Sequence, residues 1–259
     1  MHSWLFIGLI LAAATTTQAQ QPFGKDFVYR KAGDREMKLY VVYPPEWKAE
    51  DRRPAIVFFH HGSWIVGGPT QFNEHSKYLA SRGMVAIQVD YRLLARDKEE
   101  PPIICIEDAR ASMRWVRANA GKLGLDPDRI ASGGGSAGGH LAAFLGMMDG
   151  FDAADDDLKI SPRSNAMILY DPAFDNGPGK WGHARVKERY KEFSPYYNVT
   201  PKLPPCMIIV GEKDGIIPPK AVLAFEEAMK KAGNRCEAHM YPGKPHDFHN
   251  WRQGQPNLD

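Results

Sequence analysis

The stretch that most limits what this chain can become is ASGGGSAGGHLAAFLG, Ala131 to Gly146, a glycine run leading straight into an apolar helical pattern. Upstream, RIASGG reads as a buried strand; downstream, AGGHLAAFLGMM reads as a helix. The glycines therefore sit in a strand-to-helix turn, which a free linker does not. A phosphate loop of the P-loop kind needs a lysine followed by Ser or Thr, and GGGSAGGH has none. A G-x-G-x-x-G is present at Gly133, Gly135 and Gly138, but so dense a glycine run makes that match cheap, and it falls late in the chain. What remains is G-x-S-x-G, Gly134 to Gly138, with Ser136 at the apex of a nucleophile elbow. Side chains two positions either side of a serine on so sharp a turn collide with their surroundings, so glycine is favoured at both. Ser136 then stands at a helix N-terminus, where the Ala137 N–H and the positive end of the dipole face a developing oxyanion.

Such a turn needs a sheet behind it. Strand-like runs occur at 26–31, 37–44, 55–60, 84–92, 129–134, 166–172, 206–211 and 236–242, several of them continuously apolar as strands buried on both faces are. Helical patterns lie between the later ones, clearest in Ile106, Ala109, Met113, Val116, Ala120 and Leu123, and in AVLAFEEAMKKAG at 221–233. The expected fold is α/β: an eight-stranded, mostly parallel sheet flanked by helices. Residues 20–259 read as a single domain. Residues 173–205 are too long for an ordinary connection and are expected to form a short cap or lid insertion; a plain surface excursion is the alternative.

The first twenty residues, MHSWLFIGLILAAATTTQAQ, hold an apolar run from Trp4 to Ala14 that is too short to span a bilayer and is followed by small polar residues ending at Ala19. Residues 1–19 are expected to be a secretory signal, making the protein secreted or periplasmic without stable membrane insertion; an uncleaved N-terminal anchor is the alternative. Thirty-three Lys and Arg against 31 Asp and Glu leave a formal charge of +2 with no basic stripe, which argues against a nucleic-acid partner. Cys105, Cys206 and Cys236 allow at most one disulfide; Cys206 and Cys236 fall in core strands, and free thiols are expected.

A reactive serine needs a base, an acid that orients it and donors for the oxyanion. CMIIVGEKDGIIPP places Asp214 just past a strand, and CEAHMYPGKPHDFHN places His246 in the loop past the next. Asp175 and Asp247 compete with Asp214, and His239 and His249 with His246, but each fits the strand-end positions less well. Asp90 and Asp171, at strand ends, are expected to brace loops, and His60 and His61 to support a loop or line a pocket. AIVFFHHGSWIVGG leaves a strand into a glycine-containing loop whose Gly62 and Ser63 N–H groups are candidate oxyanion donors beside Ala137. Trp64 and, in the insertion, Trp181 are candidate substrate contacts.

On FFHHGSW, VDYRL, LGLDPDRIASGGGSAGGHLA, VGEKDGIIP and GKPHDFHN, the chain resembles the α/β-hydrolase superfamily, and within it the hormone-sensitive-lipase-like esterases and the carbohydrate-acetylesterase and feruloyl-esterase groups. The resemblance runs from about Phe27 to His249. It implies the chain order Ser, Asp, His, met by Ser136, Asp214 and His246, and a serine carboxylic-ester hydrolase acting on short acyl esters, with acetyl or feruloyl groups of plant polysaccharide as the expected natural targets. No metal or organic cofactor is implied. A serine peptidase of the same fold and a non-catalytic binding protein on the same scaffold are the other readings. Two departures stand out: His60-His61-Gly62-Ser63 replaces the family's common His-Gly-Gly-Gly, and Asp247 stands where glycine is frequent.

Overall fold

The computed structural model describes residues 21–250; the leader-like residues 1–19 lie outside the described residues. All eight expected strands form: β1 (Lys25–Ala32), β2 (Arg35–Val42), β3 (Arg53–Phe59), β4 (Val85–Val89), β5 (Leu125–Gly135), β6 (Ala166–Tyr170), β7 (Cys206–Gly211) and β8 (Cys236–Tyr241). They make one sheet in the order β1-β2-β4-β3-β5-β6-β7-β8. The β1–β2 and β2–β4 pairs are antiparallel. From β4 to β8 every pair is parallel.

The sequence dictates which strands lie inside. Every residue of β4, VAIQV, is buried, as are the last five of β3, AIVFF, so both need helices on each face. At the edges, β1 and the end of β8 expose much of their length. The helices are α1 (Asn73–Ser81), α2 (Ile103–Ala118), α3 (Ala137–Met147), the short α4 (His183–Val186) and α5 (Tyr190–Phe193), and α6 (Pro219–Lys231). Residues 137–147, AGGHLAAFLGM, are buried on every side, which is why this helix carries no polar stripe and can run beneath the site through the centre of the molecule. On α2, buried Asp108 accepts hydrogen bonds from the Arg92 amide at 2.8 Å and from its guanidinium, which fixes the loop leaving β4.

Two consequences bear on the site. The parallel strands β3, β5, β6, β7 and β8 all end on one edge, so the loops after them converge there, as in other open α/β sheets. The 173–205 segment, between β6 and β7, is tied down by a buried polar knot. The Asn176 amide donates to Ser194 Oγ at 3.0 Å, Asn176 Nδ2 donates to the Trp181 carbonyl at 3.0 Å, and the His140 ring on α3 is bonded to the Phe193 carbonyl at 2.7 Å. Val186 and Phe193 are buried beneath it. All three cysteines are buried free thiols, with Cys206 opposite Cys236 in the β7–β8 register.

Candidate active site

Ser136 sits between β5 and α3 with φ 51° and ψ −114°, a conformation non-glycine residues adopt only under constraint. The constraint is visible around it. Its amide donates to the Tyr170 carbonyl at 2.9 Å, and its own carbonyl accepts from Ala173 and His140 amides at 3.1 and 3.0 Å. A Cβ on Gly134 would run into the Gly138 carbonyl, and one on Gly138 into the carbonyls of Phe59 and His60 on the neighbouring strand. The glycines two before and two after Ser136 are thus required by backbone approach on both sides of the turn.

Asp214 and His246 meet. Asp214, in the turn after β7, receives the Ile216 and Ile217 amides on Oδ1 at 2.8 Å each, which aims its other oxygen at the histidine. His246 Nδ1 donates to Asp214 Oδ2 at 2.7 Å. Burial pushes the His246 pKa down, but the bond to Asp214 and the negative charges of Asp247, Asp214 and Asp171 outweigh it, leaving the imidazole more basic than usual. Among the described residues, the Ser136 hydroxyl is hydrogen-bonded to no group, and His246 Nε2 lies 3.5 Å from Asp247 Oδ1. The structure therefore joins the acid to the base and poises the serine, without the serine–histidine bond itself; such bonds commonly tighten only with substrate present.

Gly62 (φ 116°), Ser63 (φ 58°) and Trp64 (φ 63°) run left-handed one after another, turning the loop after β3 back on itself. The Ile65 and Val66 amides close that turn on the Gly62 carbonyl at 3.0 and 2.9 Å, while the Gly62 and Ser63 amides have no acceptor among the described residues. Ala137, the first residue of α3 and the next after Ser136, is fully buried at the elbow.

Of the two tryptophans expected at the substrate, the structure corrects one. Trp64 has no exposed surface and packs edge-on against His140 at 5.0 Å and against Trp181 at 4.9 Å, so it is a core residue beneath the 173–205 segment. Trp181 does line a cleft of about 280 Å³, with Pro172, Phe174, Tyr196, Ile216 and Ile217 around it. That cleft lies between the residue after Asp171 and the Asp214 turn.

Other assignments resolve as follows. Asp90 pairs with Arg35, the first residue of β2, at 2.8 Å, and Asp171 takes the amide of Gly211 at the end of β7 at 3.2 Å and that of Asp247 in the loop after β8 at 3.0 Å, the loop-bracing part expected of it. His60 is bonded to the His61 carbonyl at 2.8 Å and stacked on Tyr91, a loop support. Asp247 has φ 61°, which explains why glycine is favoured at its position. His249, set aside on sequence, is buried against Gly135 beside the elbow; its only signal was its proximity to His246, since the partners that surround it come from distant parts of the chain.

A parallel sheet that ends in a strained serine turn and a downstream Asp–His pair defines the scaffold of a nucleophile-elbow hydrolase. Comparison with known proteins agrees. A family model described as BD-FAE matches residues 40–169, and one described as alpha/beta hydrolase fold matches residues 181–250. The chain is 34% identical over 117 residues to carboxylesterase NlhH of Mycobacterium tuberculosis, covering 45% of this chain and 35% of that protein. It is 27% identical over 262 residues to an acetylxylan esterase of Xylanibacter ruminicola, covering 96% of this chain and 51% of that protein. The chain thus spans about half or less of the length of these curated relatives. Among solved structures, the apo form of Thermogutta terrifontis esterase 2 superposes with a TM-score of 0.85 at 40% identity, covering 91% of this chain and 89% of that one. Structures of the same esterase are described as phosphoramylated by tabun and as propionate- and butyrate-bound. The chain belongs to the α/β-hydrolase superfamily, in its hormone-sensitive-lipase-like group.

Proposed function

We propose that the protein is a serine carboxylic-ester hydrolase for short-chain acyl esters, with Ser136 as nucleophile, His246 as general base and acid, and Asp214 as the group that orients His246. The observation that carries this reading is the 2.7 Å Asp214–His246 bond on the same sheet edge as the strained Ser136 turn. In the reaction, Ser136 Oγ attacks the ester carbonyl as its proton passes to His246 Nε2, and Asp214 stabilises the imidazolium. Amides of Gly62, Ser63 and Ala137 receive the negative charge on the carbonyl oxygen. His246 returns the proton to the departing alcohol, leaving an acyl-serine. Water then attacks that ester, its proton taken by His246, and the carboxylic acid leaves with the serine restored.

The small apolar cleft lined by Phe174, Trp181, Tyr196 and Ile217 suits a short acyl chain or an aromatic acyl ring. Propionate and butyrate bound to the T. terrifontis enzyme support short chains, and the X. ruminicola relative's name supports acetyl groups on xylan. We take acetyl and feruloyl groups of plant polysaccharide as the natural targets, the 173–205 segment as the cap over them, and export through residues 1–19 as the route to them.

A panel of p-nitrophenyl acyl esters, acetylated xylan and methyl ferulate tests the substrate, with a peptide amide as the contrasting class. Ser136→Ala is expected to lower kcat by roughly 10⁵- to 10⁶-fold if the three residues act as a unit. A fluorophosphonate probe is expected to add one label to the wild type and none to Ser136→Ala by intact mass. Labelling elsewhere, or a variant that keeps most of its activity, refutes the nucleophile; turnover of amides in preference to esters refutes the reaction class.

A further inference from the structure

Next to the Asp214–His246 pair lies a second cluster to which the hydrolytic cycle gives no role: His61 from the loop after β3, and Asp247 and His249 from the loop after β8. One ligand atom from each lies within 4.8 Å of those of the other two. His61 Nε2 is held at 2.6 Å by Asn250 Oδ1. An amide oxygen only accepts, so Nε2 carries the proton and, in the neutral ring, Nδ1 carries a lone pair. That lone pair is 3.3 Å from Asp247 Oδ1, itself an acceptor. Asp247 Oδ1 and His249 Nε2 are buried without a hydrogen-bond partner, His249 Nδ1 faces Asp171 Oδ2 at 3.3 Å, and the His249 side chain is only 4% exposed. With the His249 proton on Nδ1, toward Asp171, its Nε2 carries a lone pair, and acceptors on His61, Asp247 and His249 left without a donor of their own are costly unless a cation joins them.

We propose that His61, Asp247 and His249 form a binding site for a divalent transition-metal ion of the zinc class, and that an ion bound there slows turnover. Two imidazoles and a carboxylate are a donor set that borderline ions favour over magnesium or calcium. Donor atoms around a tetrahedral zinc stand about 3.4 Å apart, and His61 and Asp247 are already at 3.3 Å. Closing the rest takes a shift on the order of 1 Å in a loop side chain.

The position supplies the effect on catalysis, which rests on the reading of Ser136 and His246 as the reacting pair. Asp247 Oδ1 is 3.5 Å from His246 Nε2. A Cβ on Gly135, the residue before Ser136, would lie 2.8 Å from His249 Nε2 and 3.5 Å from His61 Cδ2. A dication in that corner opposes the positive charge His246 must acquire and crowds the serine side of the pocket. It would act as an inhibitor rather than a cofactor.

The test is a zinc titration of the full protein against a chromogenic chelator, run beside ester hydrolysis at one fixed pH. Wild type is expected to bind one equivalent. His61→Gln and His249→Gln are each expected to weaken binding about tenfold or more, and inhibition, scored against each variant's own zinc-free rate, should weaken in step and be relieved by EDTA. Asp247→Gly removes the carboxylate while easing the left-handed backbone at that residue, so it guards against a result due to misfolding. No stoichiometric binding, or equal binding in His61→Gln and His249→Gln, overturns the site. Stoichiometric binding without inhibition overturns its effect on turnover. Should no ester be hydrolysed at all, the binding arm still decides, so failure of the site and failure of the esterase reading are told apart.

Discussion

The Asp247 amide donates to Asp171 Oδ2 at 3.0 Å, tying the loop that carries His246 to the end of β6. The same carboxylate takes the Gly211 amide at 3.2 Å on its other oxygen, so one buried side chain fixes both the β7 exit toward Asp214 and the residue after His246. Asp171 itself holds φ 41°, and its side chain is fully buried. It acts as a positioning residue for the acid–base pair.

Asp171→Ala is therefore expected to leave two buried amides unpaired, at roughly 1–3 kcal/mol each. In a domain of this size that lowers Tm by about 4–24 °C. Hydrolysis should fall in kcat more than in KM, because the loss is of alignment rather than of substrate contact. An unchanged melting curve with unchanged kcat would show that the loops hold their places without it.

The Asp214–His246 bond predicts a pH profile. The base must be neutral to accept the serine proton, and its pKa is raised above 6.5. Hence kcat/KM should climb with pH along an acid limb whose midpoint lies above 6.5, and be flat beyond it. Asp214→Asn removes the charge and no longer fixes the imidazole tautomer, so the limb should move to lower pH while kcat drops by about 10⁴. Asp247→Gly should move the limb in the same direction without so large a loss. A limb that stays put in both variants would mean that another group titrates.

Much of this was legible in the sequence because it depends on local pattern. Continuous apolar runs marked the central strands such as β3 and β4, since a strand buried on both faces has few polar positions to blur its limits, while the half-exposed edge strands β1 and β8 were marked by β-prone residues bounded by turn residues. The elbow was legible because its sterics act over five residues, Gly134 to Gly138. Trp64 was not: an aromatic beside an active loop reads alike whether it faces substrate or core, and only the packing of His140 and Trp181 against it decides. The His61–Asp247–His249 cluster was invisible for a different reason. His61 comes from one strand end and its partners from a loop some 189 residues on, the separation of its bond to Asn250, and nothing local marks the two as neighbours.

Gly138 offers a direct test of the elbow. An alanine there would drive its Cβ into the Phe59 and His60 carbonyls, which are backbone and cannot swing aside. Gly138→Ala is expected to destabilise by about 3 kcal/mol or more and to abolish hydrolysis by displacing the loop that carries Gly62 and Ser63. Gly121→Ala is the control: an added Cβ there meets nothing, and its effect should stay within about 0.5 kcal/mol. Denaturant midpoints of the two variants separate the steric account from a general intolerance of alanine for glycine.

His140 predicts how stability depends on acid. It is fully buried on α3, its Nε2 bonded to the Phe193 carbonyl at 2.7 Å, and burial pushes its pKa down to about 4. His60 is pushed to about 4 and His75 to about 3 for the same reason. A histidine held neutral in the folded state takes up its proton first in the unfolded chain, whose value is near 6.5. Its contribution is therefore complete above pH 6.5 and lost as pH falls toward 4, at up to about 1.4 kcal/mol per pH unit for each such residue. Melting temperature should fall steeply between pH 6.5 and 4.5 in the wild type. His140→Gln should melt lower at pH 7, having lost a packed ring, yet show a shallower fall with acid because one of the titrating groups is gone. Wild type and variant curves that run parallel through that range would rule out His140 as a source of the acid sensitivity.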